Sequence, residues 1–79
     1  MSDKIKLNVE LKNGESRAWP GVGVCYGICK ITTKNDEVIE LYEECDPDLT
    51  DGEIKIQVGK SIIKQAKKYG IKPDGIIFN

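Results

Sequence analysis

The stretch Leu49-Thr50-Asp51-Gly52-Glu53-Ile54 decides the fold, because it sets the start of the long helix that the sequence predicts. Thr50 can cap this helix with its hydroxyl, and Glu53, three residues later, can reach back to the backbone N–H of Thr50. Leu49 and Ile54 occupy the positions of a hydrophobic staple across the same entry. The helix is expected to run to Gly70, which Pro73 follows closely.

A strand is the alternative for the first part of this segment, because Glu53–Val58 also alternates between polar and apolar residues. Gly59 would cost about 1 kcal/mol inside a helix. We expect the helix, because the cap and the staple agree on where it starts. Its apolar stripe consists of Ile54, Val58, Ile62, Ala66 and Tyr69.

The N-terminal part of the chain predicts a hairpin. Apolar residues alternate with polar ones from Ile5 to Lys12, as in a strand with one face in solvent. Asn13-Gly14 follows, and this pair favours a type I′ turn. The predicted hairpin sets Lys12 against Glu15, Glu10 against Arg17 and Val9 against Ala18, and it places Trp19 beside Asn8 on the solvent-facing side.

The middle of the chain predicts a second pair of strands, over residues 22–33 and 37–45, joined by Lys34-Asn35-Asp36. A three-residue turn pairs Ile31 with Ile39 and makes Cys25 and Cys45 direct cross-strand neighbours, whereas a two-residue turn would set Ile31 against Glu40. Residues 76–78 predict a final short strand, parallel to an earlier one. The sequence therefore predicts a single α+β domain over residues 1–79: a mainly antiparallel sheet of three to four strands, one helix on one face and a short C-terminal strand.

Composition narrows the class of protein. The 79 residues carry a net charge of −1, with no histidine and an odd count of three cysteines. No apolar run approaches the roughly 20 residues of a membrane span, and Met1-Ser2-Asp3-Lys4 does not open a signal peptide. We therefore expect a cytoplasmic protein. Charge is segregated: nine acids and no base lie between Asp36 and Glu53, and six lysines and no acid lie between Ile54 and Lys72.

No motif for catalysis or cofactor binding is complete. Gly59-Lys60-Ser61 lacks the upstream glycine of a phosphate-binding loop, since Ile54 stands there. Residues 46–52 have the acids of a calcium loop, but the glycine is one place late and Gln57 replaces the bidentate carboxylate. Three cysteines on one strand face could bind zinc with a fourth ligand, but small thiols in a core explain them more simply. We expect no catalytic residue, no metal and no cofactor.

Glu43 is unusual because the predicted register places it on the core face, opposite Gly27. A partly buried pair with Lys55, under the first turn of the helix, is one explanation. The other is that Glu43 lies at the rim of the sheet and Lys55 extends into solvent, and we expect this second arrangement.

The order strand-strand-strand-helix-strand, with Pro20-Gly21-Val22-Gly23 and Tyr26-Gly27 leading into a long strand, resembles the first half of ribonuclease H-like domains. The resemblance implies metal-binding carboxylates near Asn13, Lys55 and Asn79. None of these three residues is acidic, so the resemblance implies shared topology without two-metal chemistry.

These observations predict a non-enzymatic interaction or regulatory module that binds a protein partner or forms a homodimer. The predicted interaction face consists of Trp19, Val24, Tyr26, Ile28 and Tyr42, and the predicted acidic edge of Glu40, Glu44, Asp46 and Asp48. The alternative is a nucleic-acid-binding protein that resembles a ribonuclease H-like half-domain without its metal carboxylates. Its binding face would be Lys60, Lys64, Lys67 and Lys68, but the net charge speaks against it.

Overall fold

The computed structural model describes residues 5–79, and Met1–Lys4, where the lack of a signal peptide was predicted, lie outside the described residues. The elements in chain order are β1 (Lys6–Glu15), β2 (Gly23–Thr32), β3 (Val38–Cys45), α1 (Asp51–Lys68) and β4 (Gly75–Phe78). The sheet has the order β3-β2-β1-β4. β2 is antiparallel to β1 and β3, and β4 is parallel to β1. The predicted α+β class is therefore confirmed, with a sheet of mixed type.

α1 begins where the capping pattern predicts. The Thr50 hydroxyl accepts a hydrogen bond from the Glu53 backbone N–H at 3.3 Å, and the Thr50 N–H donates to Glu53 Oε1 at 3.4 Å. This capping box satisfies backbone groups that the first helical turn leaves without partners. Past the C-cap residue Tyr69, Gly70 adopts a φ of +80°, which ends the helix. Residues 53–58 are thus helical, as predicted, and not a strand.

The helix packs on one face of the sheet, at a glycine. A Cβ atom added to Gly27 would lie 2.4 Å from Val58 Cγ1 and 3.0 Å from Val9 Cγ1, so only glycine allows this approach. The buried core on this face comprises Leu7, Val9, Cys25, Cys29, Ile31, Leu41, Cys45, Ile54, Val58, Ile62 and Ala66. The predicted helical stripe is buried as far as Ala66, whereas Tyr69 is exposed.

The pairing of β2 with β3 confirms the three-residue turn. Cys25 lies opposite Cys45 and Ile31 opposite Ile39. The Thr33 N–H donates to the Glu37 carbonyl at 2.9 Å to close the turn, and Asp36 adopts a φ of 61°, a conformation that aspartate tolerates better than most residues.

The three cysteines are free and buried on the core face. Burial raises the pKa of Cys29. Burial and then the neighbouring Cys25 raise the pKa of Cys45 to about 11. Both residues therefore favour the thiol over the thiolate, as expected for cysteines that fill a core.

The predicted hairpin at Asn13-Gly14 is wrong. β1 continues through both residues to Glu15, and Asn13 pairs with Cys25 and Gly14 with Val24 in β2. Pairing with the apolar strand β2 buries Leu7 and Val9 in the core, with Val9 beside Gly27, and this outweighs the local turn preference of Asn-Gly.

Because the hairpin forms elsewhere, the pairs predicted for Glu15, Arg17 and Ala18 do not exist, and Trp19 does not lie beside Asn8. The chain reverses instead over residues 16–22, between β1 and β2. Gly14 has another role: a Cβ there would lie 3.1 Å from Cε1 of Tyr26, whose ring covers the strand at this point.

The C-terminal strand is parallel to an earlier strand, as predicted. Asn8 of β1 pairs with Ile77 of β4, and backbone hydrogen bonds from Asp74 to the Ile5 carbonyl and from Asn79 to the Val9 carbonyl extend the ladder at both ends. Across residues 5–79, no helix combines the length and the apolar character needed to cross a membrane.

The contact at Gly27 predicts a large difference between two glycine substitutions in the same strand. Gly27→Ala should lower the free energy of unfolding by about 2–3 kcal/mol, because its methyl group overlaps Val58 in a packed core. Gly23→Ala is the matched control, since nothing lies within 4 Å of a Cβ there, and its effect should stay within about 0.5 kcal/mol. Urea denaturation measures both, and equal effects would contradict the packing described.

Candidate functional site

The sheet has a face that the helix does not cover, here called the open face, which carries Val24, Tyr26, Ile28 and Tyr42. All four are half-buried. Tyr26 and Tyr42 form an aromatic pair on neighbouring strands, with ring centroids 5.4 Å apart and planes tilted by 37°. This tilted geometry is favourable for aromatic pairs.

Residues 16–22, here called the Trp19 loop, fold back from the end of β1 to reach β3. Ser16 is the buried anchor of this loop, with only 4% of its surface exposed. Its hydroxyl donates to Glu44 Oε1 at 2.6 Å and accepts hydrogen bonds from the backbone N–H groups of Ala18 and Trp19 at 3.2 and 3.1 Å. Serine side chains commonly form turns of this kind with residues that follow them.

Glu44 of β3 holds the loop from the other side. Its carboxylate accepts from the Ser16 hydroxyl, from the Tyr42 hydroxyl at 2.6 Å and from the Arg17 backbone N–H at 2.8 Å. These donors lower the pKa of Glu44, the Ser16 bond contributing most, then the Tyr42 bond and then the Arg17 N–H. A carboxylate with several donors stays ionised, and hydrogen bonds to a charged acceptor are stronger than neutral ones.

Arg17 extends from the loop across the aromatic pair. Its guanidinium carbon lies 3.9 Å from the centroid of the Tyr42 ring, and its Nη2 lies 2.9 Å from Glu40 Oε1. The arginine therefore covers part of the open face with a cation–π contact and an ion pair. The chain itself thus shields some of the apolar surface that a partner was predicted to cover.

The remaining backbone N–H groups of the loop are also paired. Ser16 N–H donates to the Val22 carbonyl at 2.8 Å, Val22 N–H to the Trp19 carbonyl at 3.1 Å, and Gly21 N–H to the Glu15 carboxylate at 2.5 Å. Pro20 has no N–H, so every backbone donor from residue 16 to residue 22 has a partner within the chain. Internal pairing of this kind restricts local opening of the loop.

Trp19 lies in this ordered loop with 70% of its surface exposed. It is not on the sheet, although the sequence grouped it with Val24, Tyr26, Ile28 and Tyr42. The structure thus separates the predicted interaction face into a half-buried sheet surface and an exposed indole beside it.

The predicted acidic edge divides into two pairs of residues. Glu40 and Glu44 bind Arg17 and the loop. Asp46 Oδ1 accepts from the Asp48 backbone N–H at 2.9 Å, and neither of these two aspartates forms an ion pair within residues 5–79. Both line a shallow groove of about 470 Å³ that Val22 and Val24 border.

The four lysines of the alternative face, Lys60, Lys64, Lys67 and Lys68, are exposed on α1. None of them forms an ion pair within the described part of the chain.

Glu43 and Lys55 do not pair. Glu43 accepts a hydrogen bond from the Ser61 hydroxyl at 2.7 Å, and Lys55 Nζ lies 5.9 Å from the centroid of the Phe78 ring. Gln65 of the helix donates to the Tyr42 carbonyl of the edge strand β3 at 3.0 Å. Helix side chains therefore satisfy polar groups along this edge.

Sequence reasoning missed Ser16, Arg17, Ser61 and Gln65. Only Ser16 had a signal in the sequence, because it is a turn-forming residue and Pro20-Gly21 follows it four residues later. The hairpin predicted at Asn13-Gly14 placed Ser16 in a strand, so this signal was missed.

No three His, Cys, Asp or Glu side chains within residues 5–79 form a group that could hold a metal ion. Comparison of the chain with family models, curated proteins and solved structures gives no match.

The Tyr42–Glu44 bond predicts a late tyrosine titration. Burial, the hydrogen bond to Glu44 and the charge of that carboxylate raise the pKa of Tyr42 to about 12. The pKa of Tyr42 in the folded protein exceeds its value of about 10 in the unfolded chain. Neutral Tyr42 therefore contributes its full stabilisation below a pH of about 10. This stabilisation is lost as the pH rises toward 12. Tyrosinate absorbance, followed with circular dichroism, should show a late step that Tyr42→Phe removes.

Tyr69→Phe is the matched control and should leave the late step in place, since Tyr69 lies at the end of α1, outside the Tyr42–Glu44 contact. Glu44→Gln should move the step to lower pH, because it removes the negative charge beside the phenol. A late step that survives Tyr42→Phe would contradict the assignment.

Proposed function

We propose that this chain is a non-enzymatic interaction module that binds a protein partner through Trp19 and the adjoining open face. The observation that carries the proposal is the contrast within the Trp19 loop. Its backbone donors are all paired inside the chain, while the indole of Trp19 is exposed.

This contrast favours binding for an energetic reason. Ordering a flexible side chain at an interface costs about 0.5–1.5 kcal/mol. A loop that is already ordered avoids much of the backbone cost, and tryptophan is enriched among the residues that dominate binding energy. The isolated fold gains no stability from exposing an indole on an ordered loop.

The surroundings of Trp19 define the chemistry of the partner. An indole needs an apolar pocket that can also accept its N–H. Asp46 and Asp48, without ion pairs in the described chain, would face basic side chains around that pocket. Tyr26 and Ile28 would lie at the margin of the contact.

Several features support a non-enzymatic role. Glu44 is held by three donors and its pKa is lowered, so this carboxylate is a weak base. The Tyr42 hydroxyl donates to it and has a pKa of about 12. General acid–base catalysis works best with groups whose pKa lies near the working pH.

A second candidate function is nucleic-acid binding through Lys60, Lys64, Lys67 and Lys68. One observation favours it: all four lysines are exposed and none forms an ion pair within residues 5–79. The net charge of −1 favours the first candidate.

Trp19→Ala should strongly weaken capture of the partner. The immobilised chain is equilibrated with lysate of its own source and, separately, with purified copies of itself, and bound protein is measured by mass spectrometry. Loss of the indole should weaken binding at least about tenfold, as expected for a dominant interface residue. Ile56→Ala is the matched control, because Ile56 is an exposed apolar residue on the helix, and capture should persist.

Nuclease treatment of the lysate separates the two candidates. Capture of protein that survives nuclease and depends on Trp19 supports the first. The lysine face would be favoured instead if nuclease abolishes capture, if capture weakens steeply with salt and if Trp19→Ala leaves it unchanged. The first candidate would also be overturned if no protein, from the lysate or from purified copies of the chain, is retained in a way that depends on Trp19.

A further inference from the structure

The end of the molecule opposite the Trp19 loop carries a cleft. The loop joins the end of β1 to the start of β2, whereas the cleft includes Thr33 and Lys34, just after the end of β2. A strand of ten residues spans about 33 Å, and the longest dimension of the molecule is 44 Å. The loop and the cleft therefore lie at opposite ends of the long axis.

The cleft has a volume of about 640 Å³ and walls that are largely apolar. Ile5 and Tyr69, which are 41% and 46% exposed, lie at its surface with Ile71 and Pro73. Its volume falls within the range of roughly 300–1,000 Å³ of cavities that bind small organic groups. It can therefore receive one aromatic side chain.

The charge around the cleft is opposite to the charge around Trp19. Lys34 and Lys72 line the cleft and form no ion pair within residues 5–79, although Asp74 also lies at its wall. Asp46 and Asp48, at the other end of the molecule, line the groove beside the Trp19 loop. The two ends are complementary in shape, because one projects and the other is concave. They are also complementary in charge.

Resting on the proposed function, we propose that the partner of the Trp19 loop is a second copy of this chain. Trp19 of one copy enters the cleft of the next, and Asp46 and Asp48 face Lys34 and Lys72. The contact joins two different surfaces, so each added copy leaves one free Trp19 and one free cleft. Repetition of the contact builds an open chain of copies or, where the rotation returns to the first copy, a closed ring, of which two antiparallel copies are the smallest.

Two variants each disable one half of the contact. Trp19→Ala removes the projecting residue and keeps the cleft. The double change Lys34→Glu and Lys72→Glu reverses the charge of the cleft and keeps Trp19. All three positions are exposed, so both variants should fold, which circular dichroism verifies.

Light scattering over a range of concentrations is the measurement. The mass of the wild-type protein should rise with concentration to at least twice the monomer mass, and high salt should reduce it. Each variant alone should stay monomeric, with association weakened at least about tenfold. Mixed in equal amounts, the two variants should form a species of twice the monomer mass and no larger, because only one working contact exists between them.

Ile56→Ala is again the control and should associate like the wild type. Trp19 is the only tryptophan, so its fluorescence reports on the contact. Its emission should shift to shorter wavelength with rising concentration only where association buries the indole. A wild-type protein that remains monomeric, or a variant mixture that stays monomeric, would overturn the contact between Trp19 and the cleft. Trp19-dependent capture of a different protein, without self-association, would overturn this inference alone and leave the proposed function standing.

Discussion

The contact between Val58 and Gly27 is the constraint on which the rest of the structure depends. The helix can approach β2 this closely because position 27 has no side chain, and Val9 also lies against this position. Once the helix covers this face, residues of β2 and β3 alternate between the core and the open face. Tyr26 and Tyr42 must then lie on the open face, where no helix covers them, and the chain covers them in part with its own loop.

Glu44 connects this fold to the candidate site. It lies on β3, two strands away from β1, yet its carboxylate binds the residues that directly follow β1. The link closes only when β1, β2 and β3 are in register, so the shape of the Trp19 loop reports on the correct assembly of the sheet. An ionised group whose lone pairs are engaged in this way favours a single loop conformation.

The sequence predicted the parts of the fold that depend on neighbouring residues. The capping box at Thr50 and Glu53 acts within one turn, and the turn at Lys34–Asp36 sets a register that places Cys25 opposite Cys45. The hairpin predicted at Asn13-Gly14 was wrong because a turn preference acts only locally. Pairing of β1 with β2 stabilises the strand along its length and outweighs that preference. Arg17 over Tyr42 could not be predicted, because it joins residues from different hairpins and exists only once the loop location is known.

The most direct test of the central claim, that Ser16 and Glu44 hold the Trp19 loop in one ordered conformation, is amide hydrogen exchange measured residue by residue by NMR. The backbone amides of Arg17, Ala18 and Trp19 should exchange much more slowly than in an unstructured peptide, while the indole N–H of Trp19 exchanges freely. Glu44→Gln should accelerate these amides and spare those between β2 and β3. Loop amides that exchange at unstructured rates in the wild-type protein would contradict the account.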